Sequence, residues 1–177
     1  MGEIGGSMAG AGAVVRRPRY GRSTDDPRQK GSQRVFTGVH ERQLDERGRV
    51  TLPPTFRSSI GERCYLTFGE DKCVKVLSEA AFAVEAEKLI ADVDAGLVSR
   101  SRQRAFAASV VTVSPDKQGR ILLEPKLRDY AGIDANSGVV VVGVLNRIEI
   151  WDPTQFDSEE ESGKSEMAGD DRGGAAT

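Results

Sequence analysis

The sequence predicts an α+β, β-rich fold made of two tandem copies of one unit, each ordered strand, turn, strand, short helix, strand, strand. The first observation behind this prediction is an internal repeat. A shift of 71 residues aligns six identical pairs: Asp45/Asp116, Gly48/Gly119, Arg49/Arg120, Pro54/Pro125, Arg57/Arg128 and Gly61/Gly132. The second observation is that short β-branched or aliphatic runs alternate with turn residues in each copy, which is typical of strands.

Each copy contains a tight turn of the form Asp-x-x-Gly-Arg. An Asp that opens a turn accepts hydrogen bonds from backbone N–H groups that follow it, and Gly adopts positive φ without steric cost. The residues predicted to shape the two loops are Asp45, Gly48, Asp116 and Gly119. A plain turn requires neither the Arg after each Gly nor the second cation beside it, which is Arg47 in one copy and Lys117 in the other.

Short helices are predicted after each exit strand, at 54–61 and 125–132, because each of these segments begins with Pro and ends with Gly. Two longer helices are predicted between the copies. The first covers Ser78 to Val93 with Ser78 as its N-cap, and the second runs from Ser99 to about Ala108. The arginines of the second helix are assigned to a solvated helix face rather than to DNA contact.

These patterns divide the chain into five segments. They are a disordered Gly/Arg-rich extension at 1–34, a first unit at 35–82, a helical linker at 83–109, a second unit at 110–156 and a disordered acidic tail at 157–177. Two other interpretations of the extension stay open: a translation-start artefact that precedes a start at Val35, and a basic arm that attracts phosphates. We find no stretch with the apolar length of a signal peptide or a membrane span.

The charge balance limits how this protein could bind nucleic acid. Residues 36–156 hold 16 Lys/Arg against 17 Asp/Glu, so the region expected to fold is close to neutral. This region is therefore not a nucleic-acid-binding domain with a uniformly basic surface. Binding to DNA would require a local patch of cations, presented by several copies at once to reach a useful affinity.

The sequence offers little chemistry for catalysis. His40 is the one histidine, and its place in an alternating strand favours a half-exposed strand residue over a general base. Cys64 and Cys73 flank a predicted hairpin and could approach one another, but without an export signal they are expected to be reduced core residues. The sequence has no C-x-x-C, Walker loop or G-x-S-x-G motif. We therefore predict no enzyme activity, metal, cofactor or small-molecule substrate.

Several motifs together resemble one family. They are Phe-Thr-Gly at 36–38, Leu-Asp-Glu-Arg-Gly-Arg-Val-Thr-Leu-Pro at 44–53, Asp-Lys-Gln-Gly-Arg-Ile-Leu at 116–122, Tyr-Ala-Gly at 130–132 and Val-Gly-Val-Leu-Asn-Arg-Ile-Glu-Ile-Trp at 142–151. This set is similar to the MraZ family of bacterial transcriptional regulators over about 36–156. Each unit is similar to the AbrB-type swapped-hairpin DNA-binding domain.

The resemblance implies a pseudo-symmetric β-rich core and homo-oligomeric rings. It also implies a repressor of the division and cell-wall gene cluster, located in the cytoplasm at the nucleoid, whose loops line a basic face that contacts repeated boxes in double-stranded promoter DNA. The DNA-contact residues that it implies are Arg47, Arg49, Lys117 and Arg120, with Arg42 on the adjoining strand as a secondary candidate.

Alternatives remain at three levels. Each loop Arg could serve only as a salt-bridge partner of its own Asp. Arg57 and Arg128 are expected to pair with carboxylates within the fold or between subunits rather than with DNA. For the whole protein, the alternative is an antitoxin-like interaction module with a swapped-hairpin fold, in which the acidic tail binds the partner.

Overall fold

The computed structural model describes Gly2 and residues 35–169, so the predictions for the rest of the extension and for 170–177 fall outside the described residues. The elements of residues 35–169 are β1 Phe36–Gln43, β2 Arg49–Thr51, α1 Pro54–Ile60, β3 Cys64–Phe68, β4 Val74–Ser78, α2 Glu79–Asp94, α3 Arg100–Ser109, β5 Val111–Val113, β6 Arg120–Leu122, α4 Pro125–Ala131, β7 Gly138–Leu145, β8 Arg147–Trp151 and α5 Pro153–Ala168. This order confirms the α+β class and the repeated unit.

The strands of the two repeats pair with each other rather than only within one repeat. One sheet has the order β1-β7-β8-β4-β3-β5, and a second sheet consists of β2 and β6. Exchanging each strand for its counterpart in the other repeat reverses the order of the large sheet and leaves the small one unchanged. The fold therefore has a pseudo-twofold axis, which passes between β4 and β8 and between β2 and β6.

The core lies where equivalent positions of the two repeats meet. Val50 pairs with Ile121 at the centre of the small sheet, and both side chains are buried. The surrounding core includes the equivalent pairs Leu52/Leu123, Phe56/Leu127 and Ile60/Ala131. Burying a Val, Leu, Ile or Phe side chain contributes about 1.5–3 kcal/mol. Each short helix therefore buries two apolar residues four positions apart in this core.

The helices between the repeats and the last helix pack on the other face of the large sheet. Ser78 caps α2 by accepting a hydrogen bond from the backbone N–H of Ala81, and the bounds of α2 and α3 confirm the two predicted linker helices. Lys75 is buried under these helices and pairs with Glu85 of α2. Among the described residues, no helix combines the length and apolarity needed to cross a bilayer.

The two cysteines do not approach one another. In the register of the β3–β4 hairpin, Cys64 lies opposite Ser78, whereas Cys73 lies at the other end and accepts a hydrogen bond from Gly69 at 2.8 Å. Both thiols are free and buried. Burial raises the pKa of Cys64 to about 12 and also raises the pKa of Cys73, so both stay protonated at neutral pH.

The described part of the acidic tail differs from the predicted disorder, because α5 continues through Ala168. Asp152 caps this helix by accepting from the backbone N–H groups of Thr154 and Gln155. Phe156 packs against Trp151 with ring centroids 6.3 Å apart, which holds the first turn on the sheet. The composition of the tail is typical of disorder, but composition alone does not reveal the Asp152 cap or the contact between Phe156 and Trp151.

Gly143 permits the close approach of β1 and β7 that joins the repeats. A Cβ atom at Gly143 would lie 2.5 Å from backbone atoms of Phe36 and Thr37. We expect Gly143→Ala to lower the free energy of unfolding by about 1–3 kcal/mol, as other overpacked sites do. Urea denaturation followed by circular dichroism measures this change.

The matched control is Gly138→Ala at the opposite end of β7, where the nearest atom to the new Cβ is Pro153 Cγ at 3.9 Å. We expect this variant to unfold within about 0.5 kcal/mol of the wild type. Equal destabilisation of the two variants would contradict the steric explanation.

Candidate nucleic-acid interface

The first loop is held closed by the carboxylate of Asp45. Its Oδ1 accepts from the backbone N–H groups of Arg47 at 3.0 Å and Arg49 at 2.8 Å, and its Oδ2 accepts from Arg49 Nε at 2.7 Å. The N–H of Gly48 donates to the carbonyl of Asp45 at 2.8 Å. Gly48 has φ of 75°, a backbone conformation that is unfavourable for residues other than Gly.

The second loop repeats this hydrogen-bond pattern around Asp116. Its Oδ1 accepts from the N–H groups of Gln118 and Arg120, each at 2.9 Å, and its Oδ2 accepts from Arg120 Nε at 2.7 Å. The N–H of Gly119, at φ of 74°, donates to the carbonyl of Asp116 at 2.7 Å. The two loops thus share one backbone geometry although the side chains at their tips differ.

Each loop is joined to the strand that leaves the other loop. The carbonyl of Gly48 accepts from the N–H of Leu123 at 2.9 Å, and the carbonyl of Gly119 accepts from the N–H of Leu52 at 2.9 Å. Both loops therefore flank the same two-stranded ribbon of β2 and β6.

The ribbon places the two arginines that follow the glycines on one surface. Side chains alternate along a strand, and the central pair Val50 and Ile121 is buried. The neighbouring positions then form the outer ribbon face, which consists of Arg49, Thr51, Arg120 and Leu122. Arg49 lies opposite Leu122 in the register, so Arg120 is its diagonal neighbour on this face, at roughly 7–8 Å.

The other predicted contact residues lie around this face. Arg47 and Lys117 are exposed at the loop tips, and within residues 35–169 neither side chain has a hydrogen-bond or ion-pair partner. Arg42 is half-buried on β1, in the large sheet, where its Nη1 donates to the carbonyl of Glu41 at 2.7 Å. The structure thus brings Arg49 and Arg120 together on the ribbon and leaves Arg42 in a different sheet.

The salt bridges considered as an alternative role for the loop arginines are present. Arg49 pairs with Asp45 and Arg120 with Asp116, both at 2.7 Å, and the arginine side chains stay 31% and 29% exposed. Each guanidinium group is therefore held in one orientation while part of it remains open to solvent.

The same hydrogen bonds determine the protonation of the loop carboxylates. The bond from the backbone N–H of Arg49, followed by the side-chain bond, holds the pKa of Asp45 below its ordinary value. The bond from the backbone N–H of Arg120 lowers the pKa of Asp116 in the same way. Both aspartates therefore stay ionised at neutral pH and keep the hydrogen bonds that close the loops; we call each set of bonds the Asp clasp.

The expectation that Arg57 and Arg128 pair with carboxylates within the fold is wrong, whereas pairing between subunits stays a prediction. In the part of the chain that the structure describes, neither guanidinium pairs with a carboxylate. Each instead reaches the loop of the other repeat, Arg57 beside Gly119 and Arg128 beside Gly48. Arg57 and Arg128 each lie eight residues after the loop arginine of their own repeat, and this shared spacing indicated a shared role. Spacing along the chain does not show that each side chain contacts the loop of the other repeat.

His40 lies apart from the two loops. His40 is half-buried on β1 and packs edge-to-face on Phe56 with ring centroids 5.1 Å apart, which agrees with the strand residue predicted. Across residues 35–169, no three His, Cys, Asp or Glu side chains are grouped as metal ligands would be.

Fold and site together define a class: a tandem swapped-hairpin protein that carries paired Asp-x-x-Gly-Arg loops on one ribbon. A family model described as "MraZ protein, putative antitoxin-like" matches residues 35–96 and 106–173. The chain belongs to the MraZ family.

Three relatives illustrate the match, and each bears the name Transcriptional regulator MraZ. The relative from Cutibacterium acnes is 38% identical over 138 residues, which cover 76% of this chain and 93% of the relative. That from Salinispora arenicola is 36% identical, covering 70% and 86%. That from Bifidobacterium longum is 34% identical, covering 77% and 91%.

The lowered pKa values predict how the loops respond to acid. A depressed pKa in the folded state contributes stability above the unfolded-state pKa, and this stability is lost as the pH falls through the folded-state value. We expect both loops to be unchanged between pH 8 and about pH 5 and to loosen only as the pH falls through the lowered pKa values of Asp45 and Asp116.

Carboxyl carbon shifts in an NMR titration report these two pKa values directly. Asp45→Asn and Asp116→Asn assign the signals, because the amide does not titrate. Titration of both carboxyls above 3.8 would contradict the hydrogen-bonded clasp.

Proposed function

We propose that this protein is a sequence-specific DNA-binding transcriptional regulator that contacts duplex DNA with its two loops and the outer ribbon face. The observation that carries the proposal is the placement of Arg49 and Arg120, from different repeats, as diagonal neighbours on the outer ribbon face. Arginine guanidinium groups bind phosphate oxygens and guanine edges in a fork geometry. The name that the relatives bear, transcriptional regulator, agrees with this proposal.

The proposed mechanism is occupancy of a promoter by several copies. One chain offers only a few loop cations, so a homo-oligomer, which we propose is a ring, would engage repeated DNA boxes at the same time. Linked binding events of this kind raise affinity without new contacts. The proposed target is the promoter of the division and cell-wall gene cluster, where occupancy by the nucleoid-bound protein would repress transcription.

The two loops are proposed to divide their roles. Arg47 at the first tip suits guanine, whereas Gln118 at the equivalent position of the second loop suits adenine. Lys117 is a point cation that suits phosphate. The proposed activity is binding alone and requires neither a cofactor nor a small-molecule substrate.

A second candidate is an antitoxin-like interaction module. The description of the matching family model includes this term, and the acidic helix α5 offers a surface for a basic protein partner. Genetic neighbourhood separates the two candidates: methyltransferase and division genes downstream favour the regulator, whereas a small toxin gene favours the module.

Removal of both ribbon arginines tests the proposed interface. We expect Arg49→Ala/Arg120→Ala to abolish binding to the DNA upstream of the protein's own gene and to leave the assembled mass unchanged. Fluorescence anisotropy and mass photometry measure the two quantities. Unchanged affinity would refute the proposal.

The matched control is Lys88→Ala/Lys164→Ala. It also removes two cations and two ion pairs between residues four apart, with Asp92 and Glu160 respectively, but these lie on α2 and α5. We expect this control to bind within about twofold of the wild type, because exposed pairs of this kind contribute little to stability.

Salt dependence tests whether phosphates are contacted. We expect the logarithm of the association constant to fall linearly with the logarithm of salt concentration, by about 0.9 for each phosphate neutralised. Anisotropy titrations between about 50 and about 300 mM salt measure this slope. A flat response would show that the loops do not bind the DNA backbone.

A further inference from the structure

Two guanidinium groups outside the predicted interface lie directly against the loops. Arg57 lies on α1 of the first repeat, and its side chain packs beside Gly119 of the second repeat. A Cβ atom at Gly119 would overlap the guanidinium group of Arg57. Arg128 begins in α4 of the second repeat and packs beside Gly48, with Nε 3.0 Å from the position of a Cβ there. Each arginine thus serves the loop of the repeat to which it does not belong.

The hydrogen bonds of these two arginines are incomplete. Arg128 Nε donates to the carbonyl of Leu123 at 3.1 Å. Arg57 Nε is buried and has no acceptor, which is unfavourable for a charged donor. The terminal nitrogens of both groups make no hydrogen bond or ion pair within residues 35–169 and are not fully buried, and both side chains belong to half-buried residues. Both arginines therefore present free donors beside the loops.

The charge of these arginines is also less compensated than that of the ribbon arginines. Arg49 and Arg120 are each tied to the Asp of their own loop. Arg57 and Arg128 have no carboxylate partner in the described part of the chain. Much of the uncompensated positive charge at the base of the loops thus comes from α1 and α4.

We infer that Arg57 and Arg128 form a second pair of DNA-contacting groups, each bonding a backbone phosphate beside the loop of the opposite repeat. The inference rests on the proposed function. Phosphate is the acceptor because a guanidinium fork matches its oxygens and because these arginines lie at the buried glycines, behind the tips that would enter a groove. Their role is to fix the orientation of the duplex, while the loop tips read its bases.

The crossed arrangement gives this phosphate binding a specific consequence. A phosphate held by Arg57 lies beside the second loop, although Arg57 is anchored in the core by the first repeat. Binding at either loop therefore involves both repeats, and a phosphate beside Gly119 accepts from the terminal nitrogens of Arg57 rather than from its buried Nε. A pure brace for the loop would not require free terminal nitrogens.

The test uses the full-length protein and anisotropy on the duplex upstream of its own gene, over a range of salt concentrations. The variants are Arg57→Gln, Arg128→Gln, Arg57→Lys and Arg128→Lys. The matched control is Arg63→Gln, an exposed cation just after α1 whose partner is Glu79. Circular dichroism checks folding, and mass photometry checks assembly.

We expect each Gln variant to bind about tenfold more weakly at about 0.1 M salt for every subunit engaged. Its salt slope should be shallower by about 0.9 for each phosphate that is no longer neutralised. The Lys variants keep the slope and recover part of the affinity, and they preserve the test if a Gln variant fails to fold. The control matches the wild type in both quantities. Equal weakening on an unrelated duplex is expected, because phosphates carry no sequence information.

Three outcomes would overturn the inference. Weaker binding with an unchanged salt slope and no rescue by Lys would make Arg57 and Arg128 positioning residues for the loops. A changed assembled mass would make them subunit contacts. Unchanged affinity would remove them from the interface. Failure of the wild type itself to bind the duplex would instead refute the proposed function, and the inference with it.

Discussion

The exchange of strands between the repeats is the constraint on which the rest of the structure depends. Within residues 35–169, β1 pairs with β7 of the second repeat, β5 pairs with β3 of the first, and the ribbon takes one strand from each. Backbone groups buried without a partner are unfavourable, so neither repeat satisfies its hydrogen bonds alone. The linker helices keep the repeats in one chain, which makes this pairing intramolecular and therefore favourable.

The same exchange assembles the candidate site. Arg49 and Arg120 are far apart in the chain, yet the register of β2 and β6 makes them diagonal neighbours. Each loop then stiffens itself with hydrogen bonds centred on its Asp. This clasp compensates part of the arginine charge, but it removes rotamer freedom that binding would otherwise have to restrict. The loops thus favour defined geometry over the largest possible charge.

The negative charge of helix α5 contrasts with the cations of the two loops. Helix α5 begins where Pro153 faces Gly138, at the end of β7 that lies beside the entry to the first loop. It carries Asp157, Glu159, Glu160, Glu161 and Glu166 against a single Lys164. Phosphates are repelled by such a helix and attracted by the loops, so a molecule with nearly neutral folded charge can still orient a polyanion.

The sequence by itself determined the repeat, the turn chemistry and the helix ends. These depend on local effects: an Asp that bonds nearby N–H groups, a Gly at positive φ, and Pro and Gly at helix ends. Tertiary structure alone decided that Cys64 and Cys73 stay apart, that α5 extends from a first turn packed on Trp151 as far as Ala168, and that Arg57 and Arg128 cross to opposite loops. Those outcomes depend on which strands pair. Strand pairing brings together residues that are far apart in the chain, and the residues next to each of them in the sequence do not show which partner it meets.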